Sequence, residues 1–378
     1  MNDGVRHFFP GGNTSEGFFS YYDYILPQNE ANRIITIKGG PGTGKSSMMM
    51  KIGDYFNSKG YNVEFHHCSS DNNSLDAVVI PYLKTAMLDG TSPHVVDPKN
   101  PGAVDEVLNL CEYWDTKSLE RNKDSIINVN KNISNTFKRA YKYINAAKLI
   151  EDSWYKLNLE ALDISKINLL KENLKNEILK NNIGTIGKER HLFATAFTPK
   201  GIVTYINNLC ENCQKVYVLN GEPGTLKSDI LEYLKNEAIK RGHLVEILHK
   251  PLIPKEIEHI IIPDLSTAII TSNEINQKQF KGKQINMNEF QKETILCNNS
   301  KKIMEEKEYF HMILNKGLEI ISTAKKLHDE LETYYIPAMD FKKLDEVYAK
   351  VLDKFLSYEN ATKERNAFKN EPSDLFFI

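Results

Sequence analysis

The sequence predicts an α/β protein of two homologous domains, each a parallel sheet with flanking helices and an added helical segment. Three observations carry this. Short, near-continuous apolar runs alternate with stretches of helical period, as strands buried on both faces do. Two glycine-rich segments, Gly39-Gly40-Pro41-Gly42-Thr43-Gly44-Lys45-Ser46 and Gly221-Glu222-Pro223-Gly224-Thr225-Leu226-Lys227-Ser228, stand 182 residues apart. The spacing also persists on either side of them over roughly 50 residues, the mark of a duplicated unit.

The offset of 182 pairs Gly60 with Gly242, Val63-Glu64 with Val245-Glu246, His67 with His249 and Ile80-Pro81 with Ile262-Pro263. Upstream an offset of 184 pairs Arg6-His7 with Arg190-His191 and Phe9 with Phe193. Downstream an offset of 177 pairs Ala147-Lys148 with Ala324-Lys325 and Asp152 with Asp329. The domains are therefore set at 1–184 and 185–378, with helical segments at about 103–183 and 286–370. The join at 181–190 holds Gly184 and Gly187 but no long Gly/Ser-rich or Pro-rich linker. The copies are expected to pack directly against each other.

Each copy reads alike. A helix is expected after Thr14 and after Thr198, with Pro199 at its first position. A buried strand follows (34–38; 216–219), then the glycine loop, then a helix to about Ser58 or Lys240. Further strands are expected at 62–67, 77–80 and 85–88, and at 244–249, 259–262 and 267–270. Phe137, Ala140, Tyr141, Ile144 and Ala147 form one helical stripe, and Ile320, Ala324, Leu327, Leu331 and Tyr334 another. Asp163 and Asp340 are read as N-caps of a further helix each.

Composition narrows the class. The chain has 378 residues, 41% hydrophobic and 26% charged, with no run of 18 apolar residues and no signal-like start. No membrane partner is expected. Five scattered cysteines make no disulfide framework, so a cytoplasmic location is expected. Cys210 and Cys213 lack a second pair at zinc distance and are not read as a metal site. Net charge is -2, but residues 1–114 carry -5 and residues 115–190 carry +5. The basic stretch reads as a solvated helical face rather than a nucleic-acid surface.

Residues 39–46 match G-x-x-x-x-G-K-S between an apolar strand and a helix. Glycines let the backbone wrap a phosphate, and inward N–H groups with the helix N-terminus supply positive potential. The expected nucleotide contacts are Gly39, Gly40, Pro41, Gly42, Thr43, Gly44, Lys45, Ser46 and Ser47, and in the second copy Gly221, Gly224, Thr225, Lys227 and Ser228. Lys45 is expected at the β- and γ-phosphates and Ser46 on Mg²⁺. An acidic residue at a nearby strand end must complete the metal site. Asp89 is favoured for it, and Asp71 is its rival as a catalytic carboxylate. Asp76 precedes its strand and is assigned to the opposite edge. His94 is a candidate to orient water or bind substrate, and equally a structural loop histidine. His67 and His249 recur in both copies and are read as packing or backbone-bonding residues.

The second copy departs at two places. Leu226 replaces the glycine equivalent to Gly44 and is expected to crowd the phosphates under a strained positive φ. Thr271 stands where the first copy has Asp89. The first site is expected to turn over and the second to be regulatory or vestigial.

These motifs place the chain by resemblance in the P-loop NTPase superfamily. Arg190-His191-Leu192-Phe193-Ala194, Thr198-Pro199-Lys200-Gly201, Asp89-Gly90-Thr91-Ser92-Pro93-His94, Asp97-Pro98-Lys99 and Pro101-Gly102 resemble a bacterial family of tandem P-loop proteins labelled ATPase or nucleotide-kinase-like. The resemblance implies ATP binding through Gly39, Gly44, Lys45 and Ser46 and names no substrate. The leading expectation is a Mg²⁺-dependent ATPase whose nucleotide state moves the helical parts or the two domains relative to each other. A small-molecule or nucleotide kinase is one alternative, although only Arg6 and Arg33 lie in residues 1–114. A nucleotide-sensing interaction protein with negligible turnover is the other.

Overall fold

The computed structural model describes residues 4–91, 96–184, 186–276 and 278–370, with the side chains of 366–370 outside the description. It is α/β, with one six-stranded mixed sheet in each half. In the first half β1 (Val5–Phe8), β4 (Arg33–Lys38), β5 (Val63–His67), β6 (Leu75–Ile80), β7 (Thr85–Asp89) and β8 (Asp105–Asn109) lie in the order β1-β5-β6-β7-β4-β8. The second half repeats this order with β9 (Lys188–Leu192), β12 (Lys215–Asn220), β13 (Leu244–His249), β14 (Ile257–Ile262), β15 (Thr267–Ser272) and β16 (Lys283–Asn286).

Neither sheet is wholly parallel. β6 runs antiparallel to β5 and β7, and β14 runs antiparallel to β13 and β15. The connection between β6 and β7 is a single 3₁₀ turn, Pro81–Leu83, too short for the crossover that parallel neighbours need. The helix expected after Thr14 and Thr198 is a tight hairpin. β2 (Gly11–Thr14) pairs with β3 (Gly17–Ser20), and β10 (Thr195–Thr198) with β11 (Gly201–Thr204), which the one-turn α5 (Ile206–Leu209) follows. Thr14 and Thr198 hydroxyls donate to the carbonyls of Gly17 and Gly201, so they close turns instead of capping helices. β8 lies inside the segment expected to be helical.

The helices cross between the halves. After β8 and the short α2 (Thr116–Arg121), α3 (Lys123–Ala161) leaves the first sheet, and α4 (Ile164–Ile178) follows it. Ile167, Leu174 and Ile178 of α4 pack with Leu219, Ile230 and Ile247 in the core of the second sheet, beside α6 (Lys227–Lys240). α7 (Glu293–Tyr335) makes the reverse journey. Leu344, Val347, Val351 and Phe355 of α8 (Phe341–Asn370) pack with Ile35, Met87 and Phe56 beside α1 (Lys45–Ser58) on the first sheet. At 39 and 43 residues, α3 and α7 are about 60 Å long, more than one sheet can cover, so their far ends reach the other half. They pack along each other, with Ala140, Ile144, Leu318 and Ile321 in one core. The stripe anticipated at 137–147 faces this seam, and Asp163 and Asp340 cap α4 and α8 through the N–H groups of Ser165, Lys166 and Lys343.

The halves meet about an approximate two-fold axis. Trp114 bridges Met339, and Leu162 bridges Gln291, two contacts exchanged by the 177 offset. Arg6 binds Glu246 at 2.8 and 2.6 Å, while Arg190 binds Glu64 at 2.9 and 2.6 Å. His67 and His249 serve the packing read for them. Each lies within hydrogen-bond distance of the adjacent-strand histidine, His7 or His191, at 2.9 and 2.8 Å. Burial pushes both down to about 3. The pairs face Tyr205 and Tyr21 from the opposite half.

Candidate functional site

The 39–46 loop runs from the end of β4 to the start of α1, at the carboxyl edge of β4, β5, β7 and β8. Open sheets bind ligands at this edge. Gly42 and Gly44 hold φ of +66° and +82°, which a side chain resists. The Lys45 side chain folds back over the loop and donates to the carbonyls of Gly39 and Gly40 at 2.8 and 2.7 Å. Its ammonium lies 3.5 Å from Asp89 Oδ2. The Thr43 hydroxyl donates to the Gly40 carbonyl and stiffens the turn. The first N–H groups of α1 have no intrahelical acceptor, as at any helix start, and are free to meet an anion.

Asp89 ends β7, and its Oδ1 accepts from Thr91 N–H at 2.8 Å. Thr91 in turn donates its hydroxyl to the Gly39 carbonyl, tying the acidic strand end to the loop. Ser46 Oγ accepts from Leu75 N–H at 2.9 Å, leaving one lone pair for an ion. A hydroxyl and a carboxylate are the hard oxygen donors that Mg²⁺ takes. Asp71 stands at the same edge, accepting from Ser74 Oγ and pairing at 3.3 Å with Lys325 of α7. His94 lies outside the described residues.

Asp76 needs correction. Because β6 is antiparallel, its start faces the loop edge, and Leu75 beside it touches Ser46. Asp76 is buried against Tyr22 and Cys68, and burial followed by the nearby Asp76 carboxyl raises both of those groups. Its counterpart at the 182 offset is Glu258, also buried, so acidity recurs at this place in both halves.

The residues the motif missed come from the opposite half. A side chain on Gly40 would meet the Tyr335 ring at 2.9 Å, and one on Gly42 would meet Ile336 at 2.7 Å. One on Gly44 would meet Leu344 at 2.8 Å. The end of α7 and the start of α8 thus roof the first loop, with His328, Asp329 and Glu332 grouped beside Lys325. Symmetrically, Gly224 lies under Tyr155, Asn158 and Leu159 of α3, and Asn158 donates to the Pro223 carbonyl at 2.8 Å.

The second loop keeps its shape. Leu226 adopts φ +58° and ψ +31°, the left-handed conformation of Gly44. Leu226 packs against the core of the second sheet and also lines the cavity that opens on this loop. In the first half the corresponding direction is taken by Leu344. Lys227 repeats the posture of Lys45, donating to the carbonyls of Gly221 and Glu222 at 2.5 and 2.8 Å. Beside it Lys250 sits between Glu151 and Glu274 at 2.5 and 2.7 Å. A cavity of about 330 Å³ opens on this loop, and a larger one of about 910 Å³ lies next to Gly221 and Glu222, walled by Trp154, Lys307 and His311.

Comparison with protein-family models, curated proteins and solved structures finds no match. The site therefore stands on its own geometry. Among the described residues no helix is long and apolar enough to cross a membrane. Cys210 and Cys213 join no group of potential metal ligands among those residues.

Proposed function

We propose that the first half binds a nucleoside triphosphate, ATP, with Mg²⁺ at the 39–46 loop and hydrolyses it, as a member of the P-loop NTPase superfamily would. The observation that carries this reading is Lys45. It is buried, held over the loop by two carbonyls and 3.5 Å from the only carboxylate within ion-pair distance of it among the described residues. The lysine is poised to exchange those neutral partners for phosphate oxygens. Gly42, Gly44 and the start of α1 supply backbone N–H groups for the same phosphates. Ser46 and Asp89 would hold the metal, which supplies charge cancellation on the transferred group.

A sensing role without turnover is supported by a separate observation. Tyr335, Ile336 and Leu344 lie directly on the loop glycines, so what fills the loop acts on α7 and α8. Calorimetric titration with ATP and Mg²⁺, paired with a phosphate-release assay, decides between the two. Binding with steady release supports hydrolysis; binding without release supports sensing. Absence of Mg²⁺-dependent binding that Lys45→Ala removes would sink both.

A further inference from the structure

We propose that Cys210 and Cys213 form a redox-active dithiol that a low-molecular-weight disulfide oxidises to an intramolecular disulfide. The pair lies just ahead of β12, so about 20 Å of strand separates it from the 221–228 loop. Its chemistry does not depend on what either glycine loop binds.

The chain turns sharply at the pair. α5 ends at Leu209, and Cys210 N–H donates to the Ile206 carbonyl at 3.0 Å. Cys213 N–H then donates to the Cys210 carbonyl at 2.9 Å, closing a four-residue turn. Such a turn holds its first and fourth Cα atoms within about 7 Å, and a disulfide spans about 4.4–6.8 Å. Both cysteines pack on one core with Leu209, Val218 and Ile270, so the two sulfurs lie on the same side of the turn. Both are half-buried, and the exposed Glu211, Asn212 and Gln214 around them leave a path for a small oxidant.

The two thiols are not equivalent. The hydrogen bond between them pulls Cys213 down and pushes Cys210 up, so Cys213 holds the thiolate and Cys210 the proton. Arg6, from the first half, favours that thiolate, and Glu246 opposes it. α5 is held against β1 here: the Asn208 side chain accepts from His7 N–H at 2.9 Å and donates to the Val5 carbonyl at 3.0 Å. The first half carries no cysteine ahead of β4, so the pair is not part of the packing that the repeat shares.

The thiolate is the nucleophile in disulfide exchange. The Cys213 sulfur attacks one sulfur of the small disulfide, a mixed disulfide forms, and the first leaving thiolate takes up a proton. Cys210 then gives up its proton, and its sulfur attacks the Cys213 sulfur. The mixed disulfide breaks, the intramolecular disulfide forms, and the second small thiol leaves with a proton. Two electrons pass from the cysteines, and one disulfide becomes two thiols.

The test is incubation of the full chain with glutathione disulfide, alkylation of the remaining thiols and peptide mapping by mass spectrometry. The wild type is expected to gain a Cys210–Cys213 disulfide that dithiothreitol reverses. In Cys210→Ser the second step is blocked, so glutathione is expected to stay on Cys213. In Cys213→Ser, capture at Cys210 is expected to be at least tenfold slower. The exposed Cys297 reports that the oxidant is active. Cys210 and Cys213 both staying reduced while Cys297 is modified, or capture in Cys213→Ser as fast as in Cys210→Ser, overturns the proposal. The wild-type mapping needs no substitution and decides alone if a variant fails to fold.

Discussion

Phe9 and Phe193 exchange two backbone hydrogen bonds, each N–H donating to the other's carbonyl at 2.9 and 3.0 Å. They lie 184 residues apart at equivalent places in the two halves, so the contact lies on the approximate two-fold axis. Arg6–Glu246 and Arg190–Glu64 flank it.

Arg190→Ala takes the bidentate partner from the buried Glu64 and leaves it a longer contact to Arg6 at 3.5 Å. Burial works against Glu64's charge, yet Arg190 holds that group well below the usual carboxylate range. Removing the arginine is expected to cost about 3–5 kcal/mol, read by urea denaturation, with part regained in Arg190→Ala/Glu64→Gln. A depressed carboxylate contributes stability above its ordinary unfolded pKa and loses it as pH falls through the folded value. The wild-type advantage over the double variant should therefore shrink on acidification below the ordinary carboxylate range.

Phe355 sits near the C-terminus but is buried in the first sheet's core, its ring centroid 5.9 Å from that of Phe56. Phe355→Ala is expected to cost about 3–5 kcal/mol. Hydrogen exchange should accelerate in β4 and β7 rather than in β12 and β15. Acceleration confined to the second sheet would contradict the exchanged helices.

In one turnover assay at saturating ATP with Mg²⁺, Lys45→Ala is expected to abolish nearly all hydrolysis, and Asp89→Asn to lower it by about 10²–10³ while sparing some binding. Lys227→Ala should leave the chemical step largely intact. A larger loss in Lys227→Ala than in Lys45→Ala would reverse the assignment.

Lys227 predicts a pH signature. Glu274, Lys250, Glu151 and Glu222 face it, and burial, the largest influence, sets it at about 8. Its folded value lies below its unfolded one, so the folded state binds fewer protons between about 8 and 10.5 and stability rises with pH there. The wild type should gain on Lys227→Met across that window in denaturant titrations.

How much was legible follows from the range of each interaction. The strand, turn and helix that carry Lys45 and Ser46 were readable because they are consecutive in the chain. Asp76 was misplaced because strand direction depends on the neighbours a strand finds, and β6 finds antiparallel ones. The packing of Leu226 against the second sheet's core was not readable, because the helix packed there, α4, is distant from it in sequence.

By itself the sequence determined two α/β halves and the repeat of the glycine loop, since periodicity and spacing record local geometry and ancestry. Only the tertiary structure decided which helices serve which sheet. Nothing in the apolar stripes of α4 and α8 says whose core they fill, because burial is non-directional and any complementary apolar face satisfies it. The lengths of α3 and α7 carry each stripe to the opposite half, and there the end of one copy's long helix closes over the other copy's loop.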